Sequence, residues 1–261
     1  SYAKAAKIYA NMKKVKEAHG AFVLASDNHD KAGNLYHAAT LREQCATFLK
    51  DNGQAADAAN LYVEASKIFA RDDKAQQQAD SLCKAARAYP ADGKPDTAIK
   101  WMKDGIEALE TSEKWHLTRD IYRGLLQILI RSQQHVAAMD VLKAQMRCHE
   151  NNQATDAAAK GGLEIVVLCL DLGDVVLAER EFQGLVSSYG FQHSREQAVA
   201  YELVEAANAR DQERLTEAGK QTIVTFLMPD VARMAKKLKV PFYRISTKQD
   251  FNVTELFEFV A

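Results

Sequence analysis

Residues that could do chemistry are present in number but do not form constellations. Seven histidines stand singly, with no HExxH and no pair four apart on a helix, so the spacing offers no zinc-type site. Cys45, Cys83, Cys148 and Cys169 are far apart and form no CxxC pair; reduced, mostly buried thiols are the expectation. No Gly-x-Ser-x-Gly elbow is present, and Cys148 and His149, though adjacent, point in different directions on a helix. His37 and His135 sit beside helix starts and are expected to be partly exposed or locally satisfied. Carboxylates are abundant but interleaved with lysines, the pattern of a solvated helix face. No catalytic residue, metal ligand or cofactor is assigned, and the chain is not read as an enzyme.

Basic residues are the better lead. Lys4, Lys7, Lys13, Lys14 and Lys16 precede the first acidic residue, Glu17, and form a candidate membrane-proximal cluster. Lys84 and Arg87 fall on one helical hairpin, Arg119 and Arg123 on the next, and Lys160 on the one after. Arg119 and Arg123 are four apart and share a helix face. All five fall on first helices of their hairpins, which line one side of a helical array. With 34 basic and 35 acidic side chains the formal charge is −1, so no global field draws nucleic acid or membrane. For any one of these residues, plain solvated surface is the simpler account.

The elements that must position these side chains are long helices. Four prolines and twelve glycines are few for 261 residues, and residues 96–228 contain no proline, which favours helices over strands. No apolar run approaches the ~18 residues of a membrane span, and Ser1 opens directly into an amphipathic pattern rather than a signal peptide; a cytoplasmic location is expected. In steps of forty residues alanine recurs at Ala18, Ala58, Ala98, Ala138, Ala178 and Ala218. Glycine stands five residues earlier at Gly53, Gly93 and Gly173, with Lys13, Gln133 and Glu213 at the same place in other repeats. Two further registers are apolar: Leu49, Tyr89, Leu129 and Cys169, then Tyr62, Met102, Leu142 and Phe182. Glycine ends a helix in the left-handed conformation, alanine lets the next helix approach, and the large residues fill the space between. Each forty-residue unit is therefore a helical hairpin that must stack on its neighbours.

The pattern predicts helices near 1–11, 14–27, 31–50, 54–70, 75–89, 94–110, 114–131, 134–150, 154–172, 174–188, 194–209 and 213–227. Asp30, Pro95, Thr155 and Ser194 are the expected helix-start residues. The fold class is all-α: a tetratricopeptide-like antiparallel helix-hairpin solenoid over residues 1–228, followed by a short α-β-α segment at 229–261.

Several stretches resemble the soluble NSF attachment protein (SNAP) family, its gamma branch in particular. They include Asn34-Leu35-Tyr36-His37-Ala38-Ala39, Pro95-Asp96-Thr97-Ala98 and Asp174-Val175-Val176-Leu177-Ala178-Glu179-Arg180. Tyr189-Gly190-Phe191 followed by Ser194-Arg195-Glu196 is similar to the family's break before its terminal helices. Ala206 through Glu213 is similar to the acidic turn that follows. The resemblance spans about residues 1–228 and rests on the order of the pieces. It implies an adaptor without chemistry of its own, which coats the four-helix SNARE bundle and recruits the AAA ATPase NSF, associating with membranes through its partners. It also implies that Arg123 and Lys160 stand where the family directs lysine toward SNAREs; with Lys84, Arg87 and Arg119, which fall on the same side of the array, they make up the expected SNARE-binding set. The family's first helix and its apolar membrane-touching loop have no counterpart after Ser1.

Past residue 228 the family pattern is expected to end. Val231–Lys239 reads as a basic helix, Val240–Ser246 as a strand and Val253–Ala261 as a second helix. Val240 through Lys248 resembles the last strand of a Rab-like small GTPase. The phosphate-cradling glycine loop and Asn-Lys-x-Asp that a GTPase needs are absent from the sequence, so the segment alone has no nucleotide site. Two other readings stay open: a generic tetratricopeptide-like scaffold holding peptide tails in a local groove, and a regulatory enzyme subunit.

Overall fold

The computed structural model describes residues 2–89, 95–188 and 190–240, and all regular structure among them is helical. The chain divides into two compact units, the first ending at Gln134 and the second beginning at His135. The first holds α1 (Tyr2–Asn11), α2 (Val15–Lys31), α3 (Leu35–Asp51), α4 (Ala55–Arg71), α5 (Ala75–Ala88), α6 (Pro95–Thr111), a 3-10 turn (Trp115–Leu117) and α7 (Arg119–Arg131). The second holds α8 (His135–Asn151), α9 (Thr155–Asp171), α10 (Val175–Leu185), α11 (Arg195–Asn208), α12 (Gln212–Gly219), a 3-10 turn (Thr222–Phe226) and α13 (Pro229–Ala235).

The beat of the fold is twenty residues, and the forty-residue alanine register is its double. Six helices are 17 residues long, and a three-residue turn completes each period. The turns hold a left-handed residue at Lys13, Gly33, Gly53, Asp73, Glu113, Gln133, Gln153, Gly173 and His193, with φ between 53° and 81°; Gly93 lies outside the described residues. Most of these turns close in one way. The amide after the left-handed residue donates to the carbonyl five residues back, as in Gln54 to Leu49, Gln134 to Leu129 and Asp174 to Cys169. That is a Schellman closure, and it satisfies carbonyls the helix end would otherwise leave bare. Glycine is thus one occupant among several. In the last hairpin the left-handed residue is Arg210 (φ 55°) rather than a residue at 213, so the register slips by three.

All six register alanines are buried, as are Leu49, Leu129 and Cys169 and the whole set Tyr62, Met102, Leu142 and Phe182; Tyr89 is half-buried. Small residues at the crossings let the helices close, and the large ones fill the layer between. In the first unit each helix packs on its neighbours in the chain. Polar side chains reinforce that order: Arg42 on α3 bonds Ser26 and Asp27 of α2 and Glu64 of α4. Arg71 at the end of α4 grips both oxygens of Asp30 at the end of α2, at 2.6 and 2.9 Å. Asp30 therefore lies in a last helical turn, not at a helix start, and the Arg71 guanidinium holds its carboxyl below the ordinary value. Pro95 and Thr155 are first helical residues. Ser194 caps α11 by accepting from the Gln197 amide, a role Asp174 and Asp211 share at α10 and α12.

Three predicted helices are broken. The 114–131 segment opens with a 3-10 turn before α7, the 174–188 segment stops at Leu185, and the 213–227 segment ends at Gly219 before a second 3-10 turn. In the tail, the helix predicted at Val231–Lys239 is α13, Pro229–Ala235, with Pro229 at its first position. Val240, predicted to open a strand, has no regular structure; its amide donates to Gln212 Oε1 at 2.9 Å. Residues 241–261, with the rest of the predicted strand and the final helix, lie outside the described residues.

Candidate partner-binding surface

The structure gathers two of the five candidate SNARE-binding residues. Arg87, in the last turn of α5, and Arg123, in the middle of α7, line one groove in the first unit, with a volume of about 730 Å³. Its floor is apolar, made by Ala86, Ala98, Met102 and Ile128. Its polar rim adds Asp120, Gln127 and Arg131. Sequence reasoning stopped at Arg123, although the four-residue step continues through Gln127 to Arg131 on the same helix face. A narrow backbone helps to open the groove: a Cβ on Gly124 would meet Met102 Cε at 3.3 Å. Chemically this is an apolar trough with guanidinium donors at its edge, suited to a carboxylate beside an apolar side chain.

The other three candidates stand apart from the groove lining. Lys84 is exposed on α5 and pairs with Glu43 of α3 at 2.8 Å; Glu43 also accepts from Ser81 at 2.7 Å. Arg119, the first residue of α7, is exposed. Lys160 on α9 is half-buried, its ammonium 5.8 Å from the centre of the Phe226 ring, a cation–π arrangement.

Lys4, Lys7, Lys13, Lys14 and Lys16 are all exposed, on α1, the following turn and the start of α2. Tyr2, Ile8 and Met12 are exposed among them, an apolar component that a reading by charge alone does not find.

Buried polar chemistry lies elsewhere. All four cysteines are buried. Burial pushes the thiols of Cys45 and Cys169 up to about 12 and that of Cys83 up to about 11, which keeps them protonated and unreactive. Of the two histidines expected to be partly exposed or locally satisfied, His37 is exposed and His135 is buried at 8% exposure, its Nδ1 3.9 Å from the Asp171 carboxylate. Among the described residues no three His, Cys, Asp or Glu side chains gather to hold a metal ion. None of the described helices is long and apolar enough to cross a membrane.

Comparison with known proteins places these features in a family. The family model for soluble NSF attachment proteins matches residues 1–221. A gamma-soluble NSF attachment protein of Dictyostelium discoideum is 25% identical over 240 residues, covering 92% of this chain and 74% of that protein. One of Arabidopsis thaliana is 26% identical over 258 residues, covering 98% of this chain and 88% of its own length. That coverage carries the similarity past residue 228, where the sequence pattern was expected to depart from the family. Among solved structures, the apo form of RapI is similar over 90% of this chain and 81% of its own, at 14% identity and a TM-score of 0.43. With the family model matching 221 of 261 residues, this chain belongs to the soluble NSF attachment protein family.

Proposed function

We propose that the protein is an adaptor that binds assembled SNARE complexes and brings the NSF-type AAA ATPase to them for disassembly, lying peripheral to membranes in the cytoplasm and doing no chemistry itself. The match of the family model over residues 1–221 carries this reading. Residues 1–228 form its helical-repeat part and residues 229–261 its tail. Lys84, Arg87, Arg119, Arg123 and Lys160 are the proposed SNARE contacts. Arg87 and Arg123 lead that set because they are exposed and line one groove. A SNARE bundle is an acidic rod, so rim arginines act on it mainly through electrostatic attraction, which speeds encounter and is weakened by salt. The test is capture of assembled SNARE complex, with and without the ATPase, by the parent and by a variant carrying Arg87→Glu and Arg123→Glu. Reduced capture by a folded variant at low salt supports the reading. Equal capture would remove these arginines from the interface.

The groove also favours a second reading, a scaffold for acidic peptide tails. A peptide holder needs a local trough with a few clamp residues, and Arg87, Arg123 and Arg131 ring such a trough. Saturable binding of a short acidic peptide, lost in the same double variant, together with no capture of the assembled bundle, would select this reading over the first.

A further inference from the structure

Helix α9 is buried on a face that α1, α3 and α5 expose. In forty-residue register, Lys4, Gln44 and Lys84 are exposed and Gly124 is half-buried, but Glu164 is only 6% exposed. Lys7, Thr47 and Arg87 are likewise exposed and Gln127 half-buried, whereas Val167 is fully buried. The cover comes from the same chain. Helix α13 packs on α9, and the amide of Met228, at the entry to α13, donates to Glu164 Oε1 at 2.6 Å. Phe226, in the preceding 3-10 turn, lies over Lys160. Gln212 on α12 fastens the far end, its amide nitrogen donating to the Leu238 carbonyl at 3.1 Å and its oxygen accepting from Val240 at 2.9 Å. Gly219 permits the close approach, since a Cβ there would strike the Ala235 carbonyl.

We propose that residues 222–238 form a strap over α9 whose grip is pH-dependent, because closing it buries the Glu164 carboxyl and ionising that carboxyl favours the open position. The chemistry follows from the surroundings. Protonated or ionised, Glu164 can accept the Met228 amide, but the ionised form has lost water without gaining a full counter-charge. Lys160, one turn earlier on α9, is the cation that acts on it. On α13, Asp230 and Arg233 pair with each other, and the 3-10 turn at Thr222–Phe226 carries no charge. Arg195 and Glu202 of α11 border the cavity beside Phe226, with Lys220 preceding the turn. On the other helices that pack against α9, Lys143 of α8 and Glu181 of α10 pair at 2.7 Å. Burial outweighs the Met228 hydrogen bond and the Lys160 charge, and it pushes Glu164 up to about 7. A carboxyl raised in the closed state favours closure below its ordinary value of 4.5. That advantage is lost as pH climbs through about 7.

The strap is independent of any partner and is tested without one. Amide exchange of the intact protein, corrected for intrinsic rates, is measured on peptides covering 222–238 and, as an internal reference, on α11. From about pH 5.5 to about pH 8, strap opening relative to α11 is expected to rise on the order of 30-fold in the parent. Glu164→Gln keeps an acceptor for Met228 but cannot ionise, and its relative opening is expected to stay level. A parent ratio that does not move with pH overturns the proposal, as does an equal rise in Glu164→Gln. If loss of α11 protection shows that the variant is unfolded, the parent ratio alone decides in the same way.

Discussion

The alanine register makes a prediction that depends on what each alanine touches. Ala58 on α4 is 0% exposed and lies in the core cluster with Phe22, Cys45 and Tyr62. Ala98, forty residues on, is 6% exposed and floors the groove of about 730 Å³. Leucine adds the same three carbons at both places. At Ala58 they must displace packed atoms, and overpacking of this kind costs about 1–3 kcal/mol. At Ala98 they can enter the open trough, so the change is expected within about 0.5 kcal/mol, the range of an unconstrained site. Both tryptophans, Trp101 and Trp115, belong to the first unit, so urea unfolding followed by their fluorescence reports on the unit that carries both substitutions. The expected order is parent close to Ala98→Leu, with Ala58→Leu clearly lower at unchanged slope. An unchanged midpoint for Ala58→Leu would refute the helix-crossing assignment. An equal loss at both sites would refute the open groove beside Ala98.

Three further outcomes are expected. Gln153→Gly should raise stability by about 0.5 kcal/mol, because glycine relieves the left-handed conformation at φ 56° at some cost in chain entropy; a lower thermal midpoint would contradict the turn geometry. A thiol reagent should label none of the four buried cysteines promptly in the folded protein and all four after unfolding; fast stoichiometric labelling of the native protein would contradict their burial. Vesicles of anionic lipid should bind through Lys4, Lys7, Lys13, Lys14 and Lys16, with binding that falls as salt rises. Salt-resistant binding to neutral vesicles would shift the credit to the exposed Tyr2, Ile8 and Met12.

Much of the helical order was legible because the turns repeat a local chemistry. A helix of fixed length followed by a left-handed residue and a buried small residue leaves its mark in composition wherever that residue is glycine, as at Gly53 and Gly173. Where Lys13, Asp73 or Gln153 adopts the same conformation, the mark vanishes, and this is why the twenty-residue beat was seen only at its double. Asp30 misled for a related reason. Aspartate is common both at helix starts and in ion pairs, and its partner, Arg71, lies 41 residues away, beyond any local pattern.

The basic residues show the same division between near and far. The four-residue step of Arg119 and Arg123 was visible, and it extends to Arg131 without any long-range knowledge. What no local pattern supplies is which of these charges has company. Lys84 is engaged by Glu43 from α3, and Lys160 is sheltered by Phe226 from 66 residues away. Glu164 shows how far this reaches. In sequence it is one acid among 35 acidic residues, at a register that faces water at Lys4, Gln44 and Lys84. Only the return of residues 222–238 over α9 turns it into a buried carboxyl with a backbone donor. The glycine at 219 and the glutamine at 212 are the local traces of that return, one by its lack of a side chain and the other by reaching two backbone groups at once. Because neither requires the strap on its own, the tail could be placed only once α9 and α12 were seen together.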